Sequence, residues 1–136
     1  MGSRLLSPEK DRIEFIPLTV GDIVTKIREV SERLAEDNVS QIMTRLGSKL
    51  DEFADLASSD PWRSELAFIS VMVGMSGATL GRLFKDSSVT TKKEATESAK
   101  SILLRLSQHV ATKDWNQAHT DLRDLYSVVH RVEGII

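Results

Sequence analysis

The chain has 136 residues, a net charge of −2 and no cysteine. That length suits a single domain, residues 1–136, with a core of its own. Its charge excludes the basic footprint of a nucleic-acid binder, and its composition excludes disulfides, zinc–thiolate sites and thiol catalysis.

The first residues lack the apolar run of a signal peptide. Together with the absence of cysteine, this predicts a cytoplasmic protein. The longest apolar stretch, Leu66 to Leu80, is shorter than the roughly 20 residues of a membrane span. No integral membrane segment is therefore expected.

Taken in chain order, the apolar residues recur at helical spacing. Val20, Ile23, Val24, Ile27, Val30 and Leu34 form the first stripe. Val39, Ile42, Met43, Leu46, Leu50, Phe53 and Ala57 form the second. Asp60-Pro61 then reads as a helix start, with a side-chain acceptor before a proline at the first helical position. It opens a third helix over about Trp62 to Phe84 that is apolar on every side from Leu66 to Leu80, the pattern of a helix enclosed by others. Ser70, Gly74, Gly77 and Gly81 line one of its faces. A mid-helix glycine costs on the order of 1 kcal/mol against alanine. The row therefore predicts either close packing by a neighbouring helix or the floor of a groove.

A polar break at Lys85–Val89 follows. Ala95, Ala99, Ile102, Leu103, Leu106 and Val110 make the fourth inner face, with Thr91 and Glu94 spaced as a capping box. Trp115, Ala118, Leu122, Leu125, Val129 and Val132 make the fifth, with Asp114 and Gln117 spaced likewise and Gly134 as the expected C-cap. Only Phe15-Ile16, beside Pro17, hints at a strand. The expectation is an all-α protein, a compact bundle of about five to seven helices around a central apolar helix.

Nothing in the chain assembles into chemistry. His109, His119 and His130 lack the spacing that puts two ligands on one helical turn, so they read as solvated or rim residues. The pairs Asp51/Asp55 and Asp121/Asp124 read as solvated faces rather than acid–base pairs, because such work needs burial to separate their pKa values. No serine sits in a Gly-x-Ser-x-Gly elbow. No catalytic residue, metal ligand or cofactor is expected, and the function is expected to lie in binding another protein.

Several segments, in order, carry a resemblance. Leu50-Asp51-Glu52-Phe53-Ala54-Asp55-Leu56 leads into Asp60-Pro61-Trp62-Arg63-Ser64-Glu65-Leu66-Ala67-Phe68-Ile69-Ser70. Near the end, Asp114-Trp115-Asn116-Gln117 precedes Leu122, Leu125 and Tyr126. This set resembles the B-cell lymphoma 2 family of apoptosis regulators, which carries Asn-Trp-Gly-Arg at the head of a central apolar helix and Trp-Ile-Gln…Gly-Gly-Trp near the end. The family's death motif, Leu-x-x-x-Gly-Asp, has two similar segments here. Leu18-Thr19-Val20-Gly21-Asp22-Ile23-Val24 keeps Gly-Asp and is preferred for its distance to Trp62. Met43 to Leu50 keeps the apolar spacing but has Ser48 in place of the aspartate. Arg63 directly follows Trp62, His119 to Leu122 replace Gly-Gly-Trp, and no counterpart of the family's membrane tail is expected. Such erosion resembles a viral member.

The resemblance implies an inhibitor of apoptosis that sequesters the amphipathic death-motif helix of a pro-apoptotic protein. Its groove would lie between the helix that carries the Gly21-Asp22 segment, the pre-central helix and the central helix. Ile27, Phe53, Leu56, Trp62 and Ile69 would line it, with Arg63 as the charge on its rim. The rival reading is a self-associating helical scaffold, such as a homodimer, or an assembly subunit, using the same apolar faces and having no peptide groove.

Overall fold

The computed structural model describes residues 19–57 and 62–135. The expected strand at Phe15-Ile16, the Asp60-Pro61 helix start, Leu18 and Ile136 lie outside them. Five helices follow in order: α1 (Val20–Arg33), α2 (Val39–Leu56), α3 (Trp62–Phe84), α4 (Val89–Ala111) and α5 (Trp115–Ile135). No strand occurs among the described residues. The fold is an all-α bundle with α3 as its central apolar helix.

Each helix forms where the periodic apolar residues stand, and its ends are set by local polar chemistry. At the head of α1, Thr19 Oγ1 accepts from the Asp22 backbone N–H at 3.2 Å while the Thr19 N–H donates to Asp22 Oδ2 at 2.9 Å. Two backbone donors that the helix itself leaves open are thereby satisfied. The Gly21-Asp22 pair of the preferred death-motif segment thus occupies a first turn, with its carboxylate engaged as a cap.

Hydrogen bonds from Thr19, first from its backbone and then from its side chain, hold the Asp22 carboxyl below the usual aspartate value. A lowered folded-state value means that the contribution is present above the ordinary value of about 3.9 and is lost as pH falls through the lowered one. The first turn of α1 is therefore expected to fray in acid. Carbon chemical shifts of Val20–Ile23 followed against pH check this, and Asp22→Asn should flatten the profile.

Asn38 closes the α1–α2 turn. Its Oδ1 accepts from the Ala35 N–H at 2.8 Å and its Nδ2 donates to the Arg33 carbonyl at 3.0 Å. α4 begins earlier than the Thr91/Glu94 spacing suggested. Ser88 is the cap, and its Oγ accepts from the Thr91 N–H at 3.1 Å. Asp114 does cap α5, accepting from the Gln117 N–H at 3.2 Å. Gly134, expected to end that helix, lies inside its last turn.

Packing runs from α1 to α4, α4 to α5, α5 to α3 and α3 to α2, and a light contact of α1 with α2 completes the ring. The fully buried side chains Ile23, Ile27, Leu46, Leu66, Leu103 and Leu125 come from all five helices. Burying each such side chain contributes about 1.5–3 kcal/mol.

The α2–α3 seam is the tightest. Ser70 Oγ donates to the Gly47 carbonyl at 2.6 Å, and a Cβ built on Gly47 would lie 2.9 Å from the Ser70 carbonyl oxygen. A Cβ on Gly77 would lie 2.5 Å from Met43 Cβ, and one on Gly81 would collide with Ser40. The small-residue row on α3 is therefore covered by α2, and it does not floor a groove.

Enclosure of α3 is incomplete. Leu66, Ile69, Val73 and Leu80 are fully buried, whereas Phe68, Val71, Met75 and Ala78 on the opposite face are exposed. By length and composition this 23-residue helix could cross a membrane, although the apolar run within it is shorter than a span.

Candidate functional site

The residues expected to line a groove are dispersed by the fold. Ile27 and Ile69 have no exposed surface and belong to the core. Phe53 is half-buried against that core, and Leu56 is 65% exposed. Trp62 is half-buried and meets Trp115 edge-to-face, ring centroids 6.0 Å apart, so the two tryptophan-led helix starts are one contact. Lys113 Nζ lies over the Trp62 ring at 5.3 Å. The Arg63 guanidinium donates to the Ala57 carbonyl at 2.6 Å, tying the end of α2 to the start of α3. Leu56, Trp62 and Arg63 thus gather at the α2–α3 junction, with Phe53 one turn earlier.

A depression lies elsewhere, between α1 and α2. Because those helices touch lightly, a cleft of about 470 Å³ opens between them. Its floor is apolar, from Val30 on α1 and from Ile42 and Leu46 on α2. Its rim is cationic: Lys26 and Arg33 stand two turns apart on α1, and Arg45 and Lys49 one turn apart on α2, with Glu52 the acidic lining residue. Lys26 and Lys49 reach carboxylates of their own helices, Glu29 at 3.9 Å and Glu52 at 3.4 Å. Arg33 and Arg45 have no carboxylate partner among the described residues. An apolar trough with cations beside it suits a ligand that is apolar along one face and acidic at the edge. None of the six expected residues lines this cleft, although it lies on two of the helices expected to form the groove.

A polar cluster joins α4 to α5. Asp121 is buried. Its Oδ1 accepts from Arg105 Nε at 3.1 Å, and its Oδ2 lies 2.6 Å from His109 Nδ1. A second guanidinium nitrogen of Arg105 donates to Asp124 Oδ2 at 2.5 Å. Desolvation opposes the charged guanidinium. Its hydrogen bonds to Asp124 and Asp121 outweigh that and hold Arg105 above its usual value.

The expectation of a solvated face fails at Asp121, which an i, i+4 pair on the facing helix encloses. His109 and His119 are likewise engaged, the latter with Nε2 2.6 Å from Glu65 Oε1; His130 is exposed, 3.3 Å from Glu133. The burial of Asp121 had a signal. It stands three residues after Ala118 and four before Leu125, within the inner stripe of α5.

Compared with known families, characterised proteins and solved structures, the chain matches none of them.

Proposed function

We propose that this chain is a protein-binding module that takes an amphipathic helix of its partner into the α1–α2 cleft. The observation that carries this reading is the pairing of an apolar floor, Val30, Ile42 and Leu46, with the rim cations Arg33 and Arg45, which have no carboxylate partner among the described residues. Helix-in-groove recognition uses ligand anchors at i, i+3 or i+4, and i+7, and such a helix carries its polar face toward the rim. The resemblance supports a finer identity for the ligand, the death-motif helix of a pro-apoptotic protein, and makes the chain an inhibitor of apoptosis. On that reading the aspartate of the motif meets Arg45 or Arg33, because Arg63 is engaged with Ala57.

Calorimetric titration against a panel of death-motif peptides tests it, with unrelated acidic amphipathic helices as a second set. Micromolar or tighter binding of at least one death-motif peptide is expected, about −8 kcal/mol or below. The double variant Arg45→Glu/Lys49→Glu should weaken it tenfold or more, by an amount that shrinks as salt screens the rim. Binding restricted to the second set would remove the apoptotic identity. The absence of heat with every peptide would remove the module.

A further inference from the structure

α3 carries two apolar stripes, and the bundle covers one of them. On the outer face Phe68, Val71, Met75 and Ala78 recur at intervals of three, four and three residues. The first three are 45%, 52% and 63% exposed. That interval is the seam of a two-helix coiled coil. Soluble proteins scatter exposed apolar side chains singly, and a contiguous row marks an interaction surface. α5 widens the patch with Tyr126, 51% exposed, beside half-buried Met72, and depressions of about 230 and 280 Å³ flank this pair.

We propose that this stripe is covered by a second copy of the chain, with the two α3 helices antiparallel. Steric fit selects this occupant and its direction. Antiparallel pairing centred between Val71 and Met75 sets Phe68 against the small Ala78 of the other copy and Val71 against its Met75. Each large side chain then meets a smaller one. Parallel pairing would stack Phe68 on Phe68 and leave Ala78 facing Ala78.

Charge agrees with the same direction. Glu65 stands in the first turn of α3 and Arg82 in its last. Arg82 has no carboxylate partner among the described residues. The antiparallel contact brings Arg82 toward the other copy's Glu65, a part-exposed carboxylate that also meets His119 of its own chain, whereas a parallel one sets Arg82 beside Arg82. The contact is isologous, so it closes at two copies. It lies away from the α1–α2 cleft, so the two surfaces can be tested separately.

Sedimentation velocity of the full chain into the high micromolar range should show a monomer–dimer equilibrium. Met75→Glu and, independently, Val71→Lys should leave a monomer with unchanged helicity, since both positions are exposed. The sequence has no cysteine, so introduced thiols report direction. A mixture of Phe68→Cys and Ala78→Cys chains should cross-link on oxidation. Phe68→Cys alone should not, because its two thiols would be separated by ten residues, about 15 Å along the helices, beyond disulfide reach. A chain monomeric throughout the range, a dimer that survives Met75→Glu, or preferred cross-linking of Phe68→Cys to itself would each overturn the proposal. So would a monomer that binds phosphatidylcholine vesicles through this stripe, losing that binding in Met75→Glu.

Discussion

Gly77→Leu is expected to unfold the domain or bring it close to unfolding, while Gly74→Ala, one turn earlier on the same helix, is expected to stabilise it. The difference comes from what lies over each position. A Cβ at Gly77 would stand 2.5 Å from Met43 Cβ and 3.5 Å from the Met43 carbonyl carbon. These atoms belong to or adjoin the α2 backbone, which cannot swing aside as a flexible side-chain end can. The α2–α3 seam is pinned nearby by the Ser70–Gly47 hydrogen bond, so separating the helices to admit leucine would disturb that bond as well. Overpacking a core typically costs about 1–3 kcal/mol, and the rigid obstruction here places leucine at or above the top of that range. For a domain stable by about 5–15 kcal/mol, that is a large share.

Gly74 differs because the nearest atom to its added Cβ is Gly47 Cα at 4.0 Å, an ordinary contact. Alanine there removes the helix-propensity deficit of glycine, a gain of about 0.5–1 kcal/mol. Urea unfolding of both variants checks the pair. Equal destabilisation of the two would show that the seam is not shaped as described.

The second large effect is expected at Arg105. Arg105→Met should destabilise the domain because it leaves the buried Asp121 carboxylate with His109 alone. Removing one partner of a fully buried ion pair costs about 3–5 kcal/mol. The Arg105 side chain is itself partly solvated, 43% exposed, so solvent screening lowers the expectation to about 1–3 kcal/mol. The double variant Arg105→Met/Asp121→Leu should recover much of the loss, since the carboxylate then no longer needs a partner. Thermal unfolding of the two single variants and the double variant measures the coupling. A coupling near zero would reduce the cluster to a surface decoration.

Helix positions were legible because their signal is redundant. Several apolar residues per helix share one period, and tertiary packing reinforces it. α1, α2, α3 and α5 fall where their stripes lie. The start of α4 is less so, since Val89 to Lys93 is mostly polar and the Thr91/Glu94 spacing points three residues beyond the actual cap, Ser88. The glycine row announced a close approach, but periodicity contains no information about which helix approaches. α3 misled for a different reason. Apolar residues on all sides are compatible with enclosure and equally with one covered and one uncovered stripe, and burial depends on neighbours that the local sequence does not specify.

The cleft was the least legible feature. Lys26, Arg33, Arg45 and Lys49 look like ordinary solvated cations along α1 and α2, and only the weak contact between those helices turns them into a rim.

The proposal that a partner helix enters the α1–α2 cleft is tested most directly by amide chemical-shift mapping. The isotope-labelled full chain would be titrated with the tightest-binding death-motif peptide. Perturbations are predicted to concentrate on residues 26–33 and 42–52, with intermolecular contacts to Val30 and Leu46 and smaller changes on α4. Perturbations confined to Phe68, Met75 and Tyr126 on the α3–α5 face, with the cleft silent, would contradict it.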